Sequence, residues 1–361
     1  VAIEPFASAG RRLTRREFEG VRKLMTVQAA LGGFKIQKDV VRISVVSDGK
    51  SFPEKLFRRI AEERINLPYV TLVSEGPFCG LNIVVEAADE EKVCRLITEK
   101  YATIFTVASR SAVLSVFPHR RNPEISARLF EAFEQQSLEP DALANSPSTI
   151  SVVLKQDLIE SASHALFEPF TFSAYQTPED WKLAQQGKEK LYKEVVATYQ
   201  EKKPKVYGLE VYEGQHMVQI KLNRTKISHV GASFRGFARL SMNLIFLVTS
   251  PSHEQGKRIL AFCLPASQSE AYGRVIKRIA PQLDFQEIPS VIIFSMNGPH
   301  FGDRYGIVSE LIESLVKRQV DLLALSCTIA SITGVVPSHQ FGPALEAIQE
   351  RFEVPSVTKR E

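Results

Sequence analysis

Two turns in this sequence carry residue types that could hold a small zwitterion. Asp48-Gly49-Lys50-Ser51-Phe52-Pro53 follows an alternating apolar stretch and leads into a helical pattern. Asn297-Gly298-Pro299-His300-Phe301-Gly302-Asp303-Arg304-Tyr305-Gly306 does the same near the other end. A turn that opens a helix offers backbone N–H groups at an end carrying about half a positive charge, so a carboxylate is favoured there. Gly49, Gly298 and Gly302 allow the chain to approach closely. The carboxylate of Asp48 or Asp303 would answer an ammonium group. The candidate ligand-binding residues are Asp48, Gly49, Phe52, Asn297, Gly298, His300, Phe301, Gly302, Asp303 and Arg304. Plainer readings stand beside these: Asp303 as a first-turn residue facing the helix dipole, Arg304 as a solvated side chain, His300 and Phe301 as loop packing. A further turn, Pro118-His119-Arg120-Arg121-Asn122, holds two arginines that would meet a carboxylate or simply water.

Other chemistry is poorly represented. There is no Gly-x-x-x-x-Gly-Lys-Ser/Thr loop, no Gly-x-Ser-x-Gly elbow and no His-Glu-x-x-His, and the seven histidines show no metal-ligand spacing. Cys79, Cys94, Cys263 and Cys327 are scattered through apolar stretches and read as small buried hydrophobes in a reducing compartment. No catalytic residue, metal or cofactor is expected. The formal net charge of +4 gives little reason to expect nucleic acid, and much of the basic excess sits in the first 24 residues, where six basic residues face three acidic ones. No apolar run reaches the roughly 18 residues that would span a membrane. A cytoplasmic protein without a membrane partner is expected.

Several elements must hold these turns. Val40–Val46 alternates like a strand, and Leu56, Phe57, Ile60, Ala61 and Ile65 form a helical stripe. Tyr69–Val73 and Leu81–Val85 are strands, Asp89 opens a helix, and Thr103–Ala108 returns as a strand. The order recurs from Ala112 to Tyr175, with a weak strand near Asp141–Asn145, Asp157 as a helix cap, and Phe170–Tyr175 closing it. Thr177–Lys203 reads as a charged helical connector with one apolar edge, and Trp181, the single tryptophan, lies in it. The third pass has two strands, Val206–Tyr212 and His216–Leu222, around Glu213-Gly214, so one is surplus, followed by a helix within Ile227–Met242. The fourth runs from Ser290, has its helix stripe at Ile307, Val308, Leu311, Ile312, Leu315 and Val316, and is closed by Val354–Val357.

Strand-helix-strand-strand-helix-strand is the ferredoxin-like plan. With it, Asp303, Arg304, Gly306 and Ile307 resemble the Gly-x-Asp-Arg-x-Gly-Ile opening of ACT domains, small amino-acid-sensing modules. The loop is longer than the family's usual form by much of Pro299-His300-Phe301-Gly302. The stretch Val40–Arg110 is similar in spacing to the ACT units of aspartokinase, although its turn lacks the Asp-Arg-x-Gly pattern.

The resemblance implies an α+β chain of four tandem ferredoxin-like (βαββαβ) ACT units, antiparallel sheets with helices on one face. The boundaries expected are 1–39 as an N-terminal extension, then units at 40–110 and 111–176, a connector at 177–204, and units at 205–289 and 290–361. Aspartokinases carry their chemistry in a separate kinase domain opened by a Lys-Phe-Gly-Gly-type loop. Here Leu31-Gly32-Gly33-Phe34-Lys35 has similar letters in the wrong order, with few residues before Val40. The resemblance is therefore taken to cover the regulatory region without the kinase domain. It implies a non-catalytic regulatory protein, not an enzyme, that binds a free amino acid between units and signals to an amino-acid biosynthetic enzyme. The alternative is a ligand-free interaction scaffold, and a homodimer is expected in either case. A third reading, RNA recognition by exposed sheet aromatics, lacks any aromatic RNA-binding strand motif.

Overall fold

Four long strands, each bent once, organise the molecule. The computed structural model describes residues 28–49, 52–100, 104–117, 123–173, 175–185, 203–222, 231–279, 285–298, 301, 304–329 and 331–360. The basic segment up to residue 27, the arginine turn at 118–122, most of the expected connector (186–202) and the start of the expected Ile227 helix lie outside the described residues, and so do His300, Gly302 and Asp303.

After a short β1 (Ala29–Leu31), the first quarter comprises β2 (Gly33–Asp48), α1 (Phe52–Glu62), β3 (Tyr69–Glu75), β4 (Phe78–Glu86), α2 (Glu90–Lys100) and the start of β5 (Ile104–Phe117). The second continues through α3 (Pro123–Gln135), β6 (Ala142–Asn145), β7 (Ile150–Lys155), α4 (Ile159–Ala165) and β8 (Phe170–Phe172), and α5 (Pro178–Gln185) follows. The third holds β9 (Gly208–Leu222), α6 (Gly231–Arg239), β10 (Leu247–Pro251), β11 (Arg258–Pro265) and α7 (Ser269–Ile279). The fourth holds β12 (Phe285–Asn297), α8 (Ile307–Lys317), β13 (Ala324–Cys327), β14 (Ser331–Pro337), α9 (Phe341–Arg351) and β15 (Val357–Arg360).

The bends in β2, β5, β9 and β12 fall where φ is positive, at Asp39 (55°), Arg110 (58°), Gly214 (64°) and Ser290 (54°). At Asp39 the cost of that conformation is offset by a reciprocal pair: its N–H donates to Gln156 Oε1 at 2.9 Å, and Gln156 Nε2 donates to its carboxylate at 3.0 Å. The register slips near the same points, between Gln37 and Arg42 on β2 and between Ile288 and Ile293 on β12. Each long strand thus serves two quarters. Val40–Asp48 pairs with β4 and with Ile104–Ala108, whereas Gly33–Gln37 pairs with Val113–Phe117. In the other half Gln215–Leu222 pairs with β11, and Gly208–Tyr212 pairs with the second half of β12.

Several expectations are corrected here. Residues 28–39 are no extension, because Gly33–Gln37 fills the place beside β5 that Phe170–Tyr175 was expected to take; β8 instead pairs in parallel with β1. Likewise Gly208–Tyr212 lies beside β12, and β15 adds in parallel outside β9 rather than closing the fourth pass. The two strands expected around Gly214 are one strand, and the surplus one is the fourth quarter's partner. The sheet is therefore not wholly antiparallel.

Among the described residues thirteen strands form one sheet, in the order β11-β10-β6-β7-β5-β2-β4-β3-β13-β14-β12-β9-β15, and β9 also pairs with β11 so that it closes on itself. Two joints link the halves of the chain: β3 with β13 (Val73 opposite Ala324) and β6 with β10 (Asn145 opposite Leu247). Three cores follow from strand alternation. Val41, Ile43, Val45, Val70 and Leu72 face α1, α2, α8 and α9, with Leu56, Phe57 and Ile60 from α1. Leu114, Val116, Val152 and Leu260 face α3, α4, α6 and α7. The opposite faces meet through Val40, Tyr69, Val84, Phe246, Val248 and Ile293. There Gly80 passes so near β10 that a Cβ would lie 2.0 Å from the Pro251 carbonyl oxygen. Burial of one Leu or Phe contributes about 1.5–3 kcal/mol, so these layers hold the sheet faces together.

A 3-10 turn, Ala87–Asp89, Gln156–Leu158, Ala266–Gln268 or Ser338–Gln340, leads into the second helix of each quarter. Asp89 and Asp157 lie inside such turns, and α4 starts from Leu158 without a side-chain cap. All four cysteines are free, and burial pushes the thiols of Cys79 and Cys327 up to about 12, which makes them poor nucleophiles. No described helix is long and apolar enough to cross a membrane.

Candidate functional site

The β3–β13 joint brings α1 of the first quarter against the start of α8 of the fourth. Gly306 is the N-cap of α8, with φ of 84° and no side-chain cap, and its carbonyl accepts from Glu310 N–H at 2.9 Å. A Cβ there would sit 3.6 Å from Ala61 Cβ, and the left-handed backbone would be strained in any other residue. Between the helices lies a hollow of about 340 Å³. Arg58, Ala61 and Glu62 line it from α1, with Arg304, Tyr305, Gly306, Ser309, Glu310 and Glu313 from α8 and its lead-in. A second, apolar cleft adjoins it and shares Ala61, Arg304, Gly306 and Ser309. Its walls are Phe57, Ile60, Ile65 and Leu67 on one side and Phe301, Ile307, Val308 and Cys327 on the other. About 10 Å³ remains inside it, room for a single water.

The hollow is lined by charged side chains, three carboxylates against two guanidinium groups. Arg304 Nη2 lies 3.3 Å from Glu310 Oε1, and Ser309 Oγ donates to Glu313 Oε1 at 2.7 Å. Arg58 pairs with Glu54 at 3.4 Å, and Glu62 with Arg59 at 2.7 Å. Burial pushes the Glu310 carboxyl above its ordinary value, outweighing the attraction of Arg304 and Arg351, and Glu313 adds to the rise. The arrangement suits a ligand that brings an ammonium group to Glu310 and a carboxylate to Arg304 or Arg58.

The sequence-predicted residues divide. Phe301 and Arg304 line the cleft, and Arg304 the hollow as well. Gly298 supports Phe301: a Cβ on it would come within 2.7 Å of the ring and 3.0 Å of the Lys205 carbonyl. Asn297 is used structurally, its Oδ1 accepting from Ser148 at 3.4 Å and its carbonyl from Tyr207 N–H at 2.9 Å. Asp48, at the end of β2, pairs across to Phe78, and Gly49 donates to the Pro77 carbonyl at 3.0 Å. Phe52, the first residue of α1, is buried. None of these three lines the hollow or the cleft. Sequence reasoning missed Arg58, Glu62, Tyr305, Ser309, Glu310 and Glu313. The available signal was the four-residue step of Arg58 to Glu62 and of Ser309 to Glu313, which puts each pair on one helix face.

A second charged cluster sits where the β3–β4 and β10–β11 hairpins meet. Glu75 Oε1 is 2.8 Å from Lys221 Nζ, and its Oε2 is 2.8 Å from His253 Nδ1, with Ser252 Oγ donating at 3.1 Å. Burial works to raise the Glu75 carboxyl, but these hydrogen bonds outweigh it and the net effect is a lowering. Glu254 is held down to about 2 by Lys221 and Lys257. Glu75, His253 and Glu254 have ligand atoms within 4.8 Å of one another, as a metal site would need. Lys221 Nζ, however, lies 2.8 Å from Glu75 and 2.5 Å from Glu254, so an ammonium group already supplies the positive charge. His253 also stacks on Phe78, centroids 4.4 Å apart, and the cluster fastens the first quarter to the third.

No family model matches the sequence, and no curated protein matches it. Solved structures do. An aspartate kinase from Synechocystis matches with a TM-score of 0.75 at 16% identity, covering 91% of this chain and 57% of that one. The ligand-free regulatory subunit of aspartate kinase from Thermus thermophilus has a TM-score of 0.37 at 11% identity, over 41% of this chain and 99% of its own. The corresponding subunit from Thermus flavus gives 0.37 at 11%, over 40% and 97%. At these identities the likeness is one of fold, and the chain spans less than two-thirds of the kinase from Synechocystis. Because that match runs through nine-tenths of this chain and is to an enzyme, it corrects three expectations: a resemblance to the regulatory region without the kinase domain, a non-catalytic regulator, and a protein that is no enzyme.

Proposed function

We propose that this chain is part of an aspartate-kinase-type enzyme and takes part in that enzyme's catalytic cycle. The single observation that supports this is the match in fold to the Synechocystis aspartate kinase over 91% of the chain. Phosphoryl transfer needs a held nucleotide and a positively charged cradle for its phosphates. The sequence offers no Gly-x-x-x-x-Gly-Lys-Ser/Thr loop, and the match reaches 57% of that kinase.

The finer architecture is part of the same reading. Strand orders β3-β4-β2-β5, β6-β7-β5-β2, β10-β11-β9-β12 and β13-β14-β12-β9 each suit a ferredoxin-like βαββαβ unit. The second and fourth units would borrow their last strands, Gly33–Gln37 and Gly208–Tyr212, from residues that precede the first and third. An amino acid would sit in the hollow between α1 and α8 as effector, and it can alter catalysis only if it prefers one packing of the units over another. Among the described residues, Ile104–Ala108 and Phe285–Ile288 each have one strand neighbour, which leaves edges for a second copy.

The test is aspartate-dependent ADP formation from ATP by the longest natural polypeptide that contains this chain, with and without each common amino acid. Turnover that one amino acid changes is expected. Absence of aspartate-dependent turnover would overturn the enzymatic reading.

A further inference from the structure

The charge-lined hollow and the apolar cleft share the turn that opens α8, and one side chain decides how deep a ligand can go. Phe301 is 2% exposed. Its ring lies over Gly298, where a Cβ would come within 2.7 Å, and it shares the cleft with Phe57, Ile60, Leu67 and Cys327. The consequence is a steep contrast between two adjoining spaces: about 10 Å³ is left in the cleft, against about 340 Å³ in the hollow.

We infer that Phe301 is the specificity-determining residue of this site: it occupies the apolar end itself, so the site accepts a small or charged amino acid and rejects one with a bulky apolar side chain. The inference rests on the effector reading proposed above. Recognition of the ligand's charges belongs to other residues, Glu310 for the ammonium group and Arg304 for the carboxylate, at the mouth of the cleft. Phe301 touches neither role. Its removal would leave a cavity walled by Phe57, Ile60, Leu67 and Cys327, and a cavity of that kind stays dry and admits an apolar group.

The experiment is isothermal titration of the full chain with L-serine, L-lysine, L-leucine and L-phenylalanine, on the wild type, Phe301→Ala and Phe301→Leu. The wild type should bind L-serine or L-lysine and discriminate against the apolar pair. Phe301→Ala should tighten L-leucine or L-phenylalanine binding by at least about tenfold, in line with the effect of freed methylene-sized space in an apolar pocket, and shift the polar probe's affinity by a smaller factor. Phe301→Leu should move the ratio the same way by less, and it decides the matter alone if Phe301→Ala does not fold. If the wild type binds a polar probe but neither variant changes the ratio, the specificity role is overturned and the effector site stands. If no probe binds any variant, the effector reading is overturned and this inference falls with it.

Discussion

The α1–α8 and α3–α6 contacts occupy equivalent places in the molecule, each set by one of the two strand joints between the halves, yet they are made of different materials. Between α3 and α6 the Arg235 guanidinium forks onto two carboxylates: its Nε donates to Glu131 Oε1 at 2.7 Å and its Nη1 to Glu124 Oε2 at 2.7 Å, with a further bond from Nη2 to Glu131. Phe130 and Phe234 meet below, centroids 5.0 Å apart, and Phe237 continues the row to Phe262 at 5.8 Å. Between α1 and α8 a glycine faces an alanine, the ring of Phe301 stands to one side, and a hollow remains. Charge follows the same division. Hydrogen bonds donated to Glu131 raise the Arg235 guanidinium further, the mark of a satisfied pair, whereas Glu310 is pushed up by burial despite Arg304. One contact is filled by rings and a forked ion pair, and the other leaves a hollow lined by charged side chains.

The strongest test of that contrast is Phe234→Ala. Phe234 is fully buried between α3 and the row of aromatic rings, so its truncation should cost about 3–5 kcal/mol, read as a lower urea midpoint. Effector affinity of the protein that remains folded should be unchanged. A variant that loses affinity while folded would mean that the two contacts are coupled rather than divided in labour. Gly306→Ala should cost less stability, about 1–3 kcal/mol from its left-handed backbone, and yet weaken binding, because relief of that strain would reset the turn that carries Arg304 and Tyr305. Titration of the folded variant at saturating ligand checks it.

The same division explains what could be read from the chain alone. The stripe Leu56, Phe57, Ile60 and the alternation of Val41, Ile43, Val45 are local periodicities, and the structure buries those residues. The partners of Gly33–Gln37 and Gly208–Tyr212 are not local. A strand shows that it needs a neighbour, but nothing within it says that the neighbour lies a whole quarter away. The site divides likewise: Phe301 and Arg304 stood out because a glycine-rich turn precedes a helix. Arg58, Glu62, Glu310 and Glu313 looked like solvated faces of two helices, and they converge only once β3 finds β13. The expectation of a non-enzyme arose from the absence of a phosphate loop, a local sign that says nothing of the larger enzyme whose fold this chain matches.

A smaller effect is expected at the α3–α6 contact from Arg235→Met. The side chain is 29% exposed, so screening by water limits the loss to roughly 1 kcal/mol. The difference from wild type should shrink as salt rises, and thermal melts in low and high salt would show it; a salt-independent loss would assign the contact to packing of the arginine stem instead.

Glu310→Gln should change stability least and binding most. A carboxyl whose folded pKa is raised is easier to protonate in the native state than in the unfolded chain, so its favourable contribution is complete below the unfolded value and is lost as pH rises through the folded one. At neutral pH the ionised group is a slight burden on the fold, and the amide should be neutral or stabilising by a few tenths of a kcal/mol. For the ligand the sign reverses. An ammonium group bound at Glu310 favours the ionised form, so wild-type affinity should rise as pH climbs through the Glu310 titration. In Glu310→Gln the affinity should be weak and flat over that window. Titrations of both proteins at a series of pH values would separate the cases: parallel curves for the two would remove Glu310 from the ammonium contact and return the hollow to the status of a solvated groove.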